Sequence, residues 1–252
     1  MTWSEAVLIT LAGMGAGTIN TVVGSGSLIT FPALLALGYP PLVANISNTL
    51  GLVPGGVSGA WGYRRELAGT AAVLRRLVPW SFAGGVAGAV LLLVLPSGVF
   101  TSVVVVLIAV ALVLVLVQPS LAARLRARGA LAAPTRVRAA VLAGGLFAAS
   151  VYGGYFGAAQ GVVYVALLSL LLLEDLQVAN AVKNVLATVV NAVAAATFVL
   201  FAQPDWAVVG LIALGSTVGG QVGARVGRRL PPRVLRGVIV IVGVAAIVSV
   251  LR

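Results

Sequence analysis

The stretches VVGSGSLITFPALL (residues 22–35) and YFGAAQGVVYVALL (155–168) lie over one another without gaps, pairing Gly24 with Gly157 and Ala33 with Ala166. After two extra residues in the second copy, LVAN (42–45) lies over QVAN (177–180). Further on, FAGGVAGA (82–89) matches TVGGQVGA (217–224), and Leu95-Pro96 matches Leu230-Pro231. Glycine and alanine are frequent in membrane helices, so any one match is weak. Four in the same order read as an internal repeat.

The solvent of these repeats follows from composition. The chain is 61% hydrophobic and 8% charged, with a mean hydropathy of +1.15. A soluble domain carries about 25% charged residues. Runs such as VFTSVVVVLIAVALVLVLV (99–117) hold no charge and are long enough to cross about 30 Å of hydrocarbon. Their continuity, without alternation, disfavours a β-barrel. The fold class is therefore an all-α integral membrane protein.

Ten apolar segments are read, at 5–23, 27–38, 41–62, 72–95, 99–118, 137–156, 160–173, 177–202, 205–226 and 233–251. The second and seventh are short for a full span, and each follows a break, GSGS (24–27) or GAAQG (157–161). They read as half-helices or tilted, partly buried spans. The first two segments of each half either both cross or form a re-entrant pair. The organisation expected is a first transmembrane repeat over 1–118, a basic linker over 119–136 and a second repeat over 137–252. The start, MTWSEAVLIT, lacks a basic region, so the first apolar run is expected to be retained.

Charges orient the halves. In the first, the loop after the third segment is basic (Arg64, Arg65, Arg75, Arg76) and the turn LPSG after the fourth is not. In the second half the order is reversed: QPD follows the third segment, while Arg225, Arg228, Arg229, Arg233 and Arg236 follow the fourth. If arginine marks the cytoplasm, the repeats are inverted, the central loop with Arg124, Arg126, Arg128, Arg136 and Arg138 is cytoplasmic, and both termini are outside. Inverted repeats recur in secondary transporters, whose sites lie where helices are interrupted.

Two polar stripes stand out against this background. Asn45, Asn48 and Thr49 fall at i, i+3 and i+4; Asn180, Lys183, Asn184, Thr188 and Asn191 fall at 0, 3, 4, 8 and 11. Each set shares one helix face. A carboxamide facing lipid without a partner costs several kcal/mol, so both faces are expected to point inward. They serve either as interhelical glue or as the lining of a cavity. Lys183 is the only lysine, about 9 Å along its helix; it either snorkels outward or faces an anion. At the breaks, a helix start with free N–H groups can hold an oxyanion together with Ser25, Gly26, Ser27, Gln160 and Gly161. Asn20 and Tyr155 flank them. Glycine and serine in such runs also serve close helix packing.

Missing chemistry narrows the function. Without Cys or His, disulfides, thiol chemistry, haem and most transition-metal sites are excluded. The five acidic residues, Glu5, Glu66, Glu174, Asp175 and Asp205, sit at segment ends or in loops. No proton relay, hydrolytic triad, Walker loop or dinucleotide fingerprint is present. No enzyme activity and no cofactor are expected. The net charge of +11 resides in loop arginines, so nucleic acid is not an expected partner.

With these residues in view, the chain resembles the TauE/SafE (TSUP) sulfite exporter family of membrane permeases. The resemblance rests on AGMGAGTINTVVGSGSLITFPALLALG (12–38), on ANISNT (44–49) and on the closing GGQVGARVGRRLPPRVLRGVIVIVGVA (219–245). It implies a bacterial or archaeal inner-membrane permease for sulfite, sulfonates, thiosulfate or related small organic anions. The family often shows GxGGG in the second break, where this chain has GAAQG.

The expected function is a permease, in the exporting direction, for small sulfur-containing oxyanions. Asn20, Ser25, Gly26, Ser27, Asn45, Asn48, Thr49, Gln160, Gly161, Asn180, Lys183 and Asn184 form its substrate site. Its partners are a small anion and the bilayer, with a homodimer left open. A non-transporting membrane scaffold and a passive anion channel are the alternatives.

Overall fold

The computed structural model describes residues 1–96, 135–172 and 175–226, with Gly98, Phe100, 106–110, 113, 116–117 and 120 between them. The linker arginines 124–128, Glu174, the Leu230-Pro231 match and the segment at 233–251 lie outside the described residues. So do the arginines beyond Arg225.

Among the described residues the chain forms helices α1 (Trp3–Val22), α2 (Ser27–Ala36), α3 (Pro41–Gly62), α4 (Ala71–Val94), α5 (Thr135–Tyr155), α6 (Gln160–Leu171), α7 (Leu176–Phe201) and α8 (Trp206–Val226). Their starts carry local signals. Thr2 and Glu5 form a reciprocal capping box on α1. Asp175 accepts from the N–H groups of Gln177 and Val178 at the start of α7, and Asp205 from those of Ala207 and Val208 at the start of α8. Five of the helices, α1, α4, α5, α7 and α8, are long and apolar enough to cross a membrane. α3 is as long but carries polar residues and glycines, and it buries most of them. α2 and α6 are short apolar helices.

Small residues set the packing. Gly13 and Gly17 of α1 face Ile212 and Ser216 of α8, and Thr18 Oγ1 of α1 donates to Gly219 O at 3.1 Å. On its other side α8 meets α3: Ser216 Oγ donates to Gly51 O (2.8 Å), Ser58 Oγ to Thr217 O (2.7 Å) and Gln221 Nε2 to Ser58 O (2.7 Å). A Cβ on Gly17 would stand 2.8 Å from Ser216 Cα, so this backbone approach depends on glycine. In both seams the residue numbers rise together, so α1, α3 and α8 run parallel. The mirror seam joins α4 to α5, Gly84 against Ser150 and Gly88 against Tyr155, also in parallel, with Gly85 against Val190 of α7.

Each half therefore sends its fourth helix into the other. One bundle holds α1 and α3 with α8; the other holds α5 and α7 with α4. The short connection 202–205 returns α7 into α8, and α8 is parallel to α3. Hence α7 runs opposite to α3, its repeat equivalent, and the repeats are inverted. The same registers collect the described arginines at one end. Gly62 of α3 abuts Ala224 of α8, which brings Arg64 and Arg65 level with Arg225. The starts of α4 and α5 put Arg75, Arg76, Arg136 and Arg138 there too. Arg64 stacks over Trp61 at 5.4 Å. Glu5, Asp205, Trp3 and Trp206 occupy the opposite end. This is the architecture of a multi-pass membrane protein.

Candidate functional site

The two breaks have the same geometry. At the end of α1, the N–H groups of Val23 and Gly24 both return to Ile19 O, at 2.7 and 3.1 Å. At the end of α5, those of Phe156 and Gly157, the repeat equivalents, both return to Tyr152 O, at 2.9 and 3.3 Å. Gly24 (φ +87°) and Gly157 (φ +79°) take the left-handed conformation that reverses each chain. The breaks then touch: Gly161 N donates to Gly24 O at 3.2 Å.

A helix that stops inside the protein leaves carbonyls without partners. The polar stripes supply them. Asn45 Nδ2 donates to Tyr155 O at 3.0 Å, and its equivalent Asn180 Nδ2 donates to Thr21 O at 3.2 Å. Each third helix thus ties the broken first helix of the other half. Next along the stripe the symmetry fails. Lys183, fully buried, donates from Nζ to Asn20 O (2.9 Å) and Thr21 O (3.1 Å), joined by Asn184 Nδ2 on Thr21 O (3.2 Å). The ammonium sits at the negative pole of α1, and its stem crosses Gly161. It does not snorkel. Asn48, at the position matching Lys183, binds the start of α2 instead, donating to Ser27 Oγ at 3.0 Å and accepting from Thr30 Oγ1.

The structure therefore gathers Asn20, Ser25, Gly26, Ser27, Gln160, Gly161, Lys183 and the stripe asparagines around one junction. The stripes act largely on helix ends within the protein interior. Thr49 is spent within its own helix, its hydroxyl donating to Asn45 O at 2.9 Å. Asn20 takes part through its carbonyl, a role its side chain gives no hint of. Four groups keep unused valence. Ser25 Oγ, both amide atoms of Gln160, Asn45 Oδ1 and Asn180 Oδ1 are buried with no hydrogen-bond partner. Ser25 is 0% and Gln160 3% exposed. Buried polar atoms of this kind are rare enough to call for a cause. The N–H groups of Ser25, Gly26 and Ser27 before α2, and of Ala158, Ala159 and Gln160 before α6, have no backbone acceptor either.

Sequence reasoning missed three parts of this site. Thr30 completes the Asn48 bonds; its place one turn after Ser27 on a short helix was the available signal. Ala159, which caps α6, holds φ +61°, a conformation costing an L-residue about 1–2 kcal/mol. An aromatic cluster closes one side of the junction: Phe31 meets Phe156 edge-on with centroids 5.2 Å apart, and Phe100 lies 6.1 Å from Phe156. Among the described residues no cluster of acidic side chains is placed to hold a metal ion.

Paired broken helices between inverted halves recur in membrane transporters. The profile of the family described as "Sulfite exporter TauE/SafE" matches residues 9–250, and the chain belongs to that family. It is 27% identical to the probable membrane transporter protein YfcA of Escherichia coli K12, over 91% of this chain and 83% of that one. A probable membrane transporter protein of Haemophilus influenzae is 28% identical over 83% of this chain and 80% of its own. The probable membrane transporter protein ORF9 of a Sinorhizobium species is 29% identical over 96% and 90%. No solved structure matches the chain significantly.

Proposed function

We propose that the chain is a secondary permease that exports small sulfur-containing oxyanions by alternating access, without chemistry on its cargo. The observation that carries this reading is the pair of buried, unpartnered donors at the touching breaks, Ser25 Oγ and Gln160 Nε2, which the amide oxygens of Gln160, Asn45 and Asn180 accompany as acceptors. Ser25 Oγ and Gln160 Nε2 stand beside two breaks where the N–H groups of Ser25, Gly26, Ser27, Ala158, Ala159 and Gln160 have no backbone acceptor, while those of Leu28, Ile29, Gly161 and Val162 are bonded. The dipoles of α2 and α6 present their positive ends there. Lys183 adds the one ammonium, and no carboxylate is among the buried residues of the site. Such a junction favours an oxyanion over a cation.

The basic end is assigned to the cytoplasm and the end bearing Glu5 and Asp205 to the outside of a bacterial inner membrane. Access alternates by rocking the α1–α3–α8 bundle against the α4–α5–α7 bundle. Asn45 and Asn180, each bonded across the halves, are the ties that exchange.

The test is flux of labelled sulfite or a small sulfonate in proteoliposomes. Gln160→Leu and Ser25→Ala are each expected to cut flux about tenfold, the equivalent of 1.4 kcal/mol. Unchanged flux in both variants would remove the junction from the mechanism.

A further inference from the structure

A second concave surface lies apart from the junction, at the basic end. The starts of α4 and α5 and the end of α6 enclose a groove of about 470 Å³. Ala72, Ala139, Ala140 and Ala143 keep its walls low, and leucines form most of the rest. Among the described residues its polar rim is two arginines. Arg138 is fixed by Nη2, which donates to Leu171 O at 2.8 Å. Arg76 is exposed one turn along α4 from Ala72, and one turn before Trp80, itself 47% exposed.

We propose that this groove binds one anionic phospholipid, with an acyl chain along the alanine trough and the phosphate on Arg76 and Arg138. The guanidinium is the side chain best matched to phosphate, offering paired donors in a plane. Both arginines stand at the end where the described arginines collect, at headgroup depth, where tryptophan is also favoured. A free anion has no use for the apolar trough. A peptide would need backbone partners that alanine and leucine walls lack. A second copy placed by a two-fold axis through the groove would bring like charges together. An anionic lipid satisfies both parts, and the proposal is independent of what the junction carries.

The test is heat denaturation of the purified, full-length protein in neutral detergent, with phosphatidylglycerol, phosphatidylcholine or inorganic phosphate added. A ligand present well above its dissociation constant raises the midpoint. Phosphatidylglycerol is expected to raise it by about 5 °C more than phosphatidylcholine does. Phosphate is expected to leave it in place. Arg76→Gln and the groove-filling Ala140→Trp are expected to abolish that increment at an unchanged lipid-free midpoint. Equal shifts with the two lipids would overturn the proposal, as would a shift with phosphate alone or an increment that survives Arg76→Gln. A homodimer that Ala140→Trp dissociates, with no phosphatidylglycerol increment to lose, would assign the groove to a second copy and overturn it too.

Discussion

The ammonium of Lys183 lies 2.9 Å from the main-chain oxygen of Asn20, on the end of a helix contributed by the opposite half of the chain. A buried cation is costly by itself, of order several kcal/mol. Here two carbonyls and the negative pole of α1 offset that cost without a carboxylate. No carboxylate is among the buried described residues, so under the proposed function an anionic cargo would meet no competing carboxylate there.

Replacement of Lys183 separates stability from transport. Lys183→Met removes hydrogen bonds to two carbonyls, a loss of about 1–3 kcal/mol, and also removes a buried charge whose desolvation opposed folding. The two partly cancel, so the melting midpoint is expected to move by only a few degrees. Flux is expected to fall at least about tenfold. Thermal melting and proteoliposome flux on the same preparation check both.

Glycine at the crossing of the breaks is required sterically. A Cβ on Gly24 would drive into Gly161 Cα from a left-handed backbone. Gly24→Ala is expected to destabilise by about 3 kcal/mol, combining overpacking with backbone strain. Gly144 of α5 faces open space, so Gly144→Ala is expected to cost nothing. Comparative melting of the two variants distinguishes a packing requirement from a general sensitivity to added methyl groups.

Asn48 and Thr30 form a buried pair whose coupling is measurable. Asn48→Ala strands both Ser27 Oγ and Thr30 Oγ1, while Thr30→Val strands Asn48 Oδ1. A double-mutant cycle on unfolding midpoints is expected to give a coupling of about 1 kcal/mol. Additive effects would mean that Asn48 does not hold the start of α2.

Inverted topology makes a labelling pattern. The chain has no cysteine, so single cysteines report without background. Arg65→Cys and Arg225→Cys are expected to react from the same side of the membrane, and Gln203→Cys from the other. The check is protection by an impermeant maleimide in intact cells and inside-out vesicles.

Much of this was legible in the sequence because membrane folding leaves coarse marks. Apolar runs, glycine breaks at 24 and 157 and arginine-rich loops mark the spans, the interruptions and the end at which the described arginines collect. The asparagine stripes were readable as inward faces, since carboxamides avoid lipid. Their partners were not readable. The acceptors are main-chain carbonyls of Asn20, Thr21 and Tyr155, which become free only because a distant glycine ends a helix. The direction of Lys183 was undecided for the same reason: near a helix start, its long stem reaches either water or an interior pole. The exchange of α4 and α8 between halves also escaped, because glycine spaced at i, i+4 announces a close neighbour without saying which one.

The proposed function requires an oxyanion to bind between the two touching breaks. Equilibrium binding of labelled sulfite to the purified protein in detergent tests it most directly, with Gln160→Leu beside the parent chain. Saturable binding that weakens about tenfold in the variant, with its melting midpoint retained, is the result predicted. An identical isotherm for both proteins would contradict it.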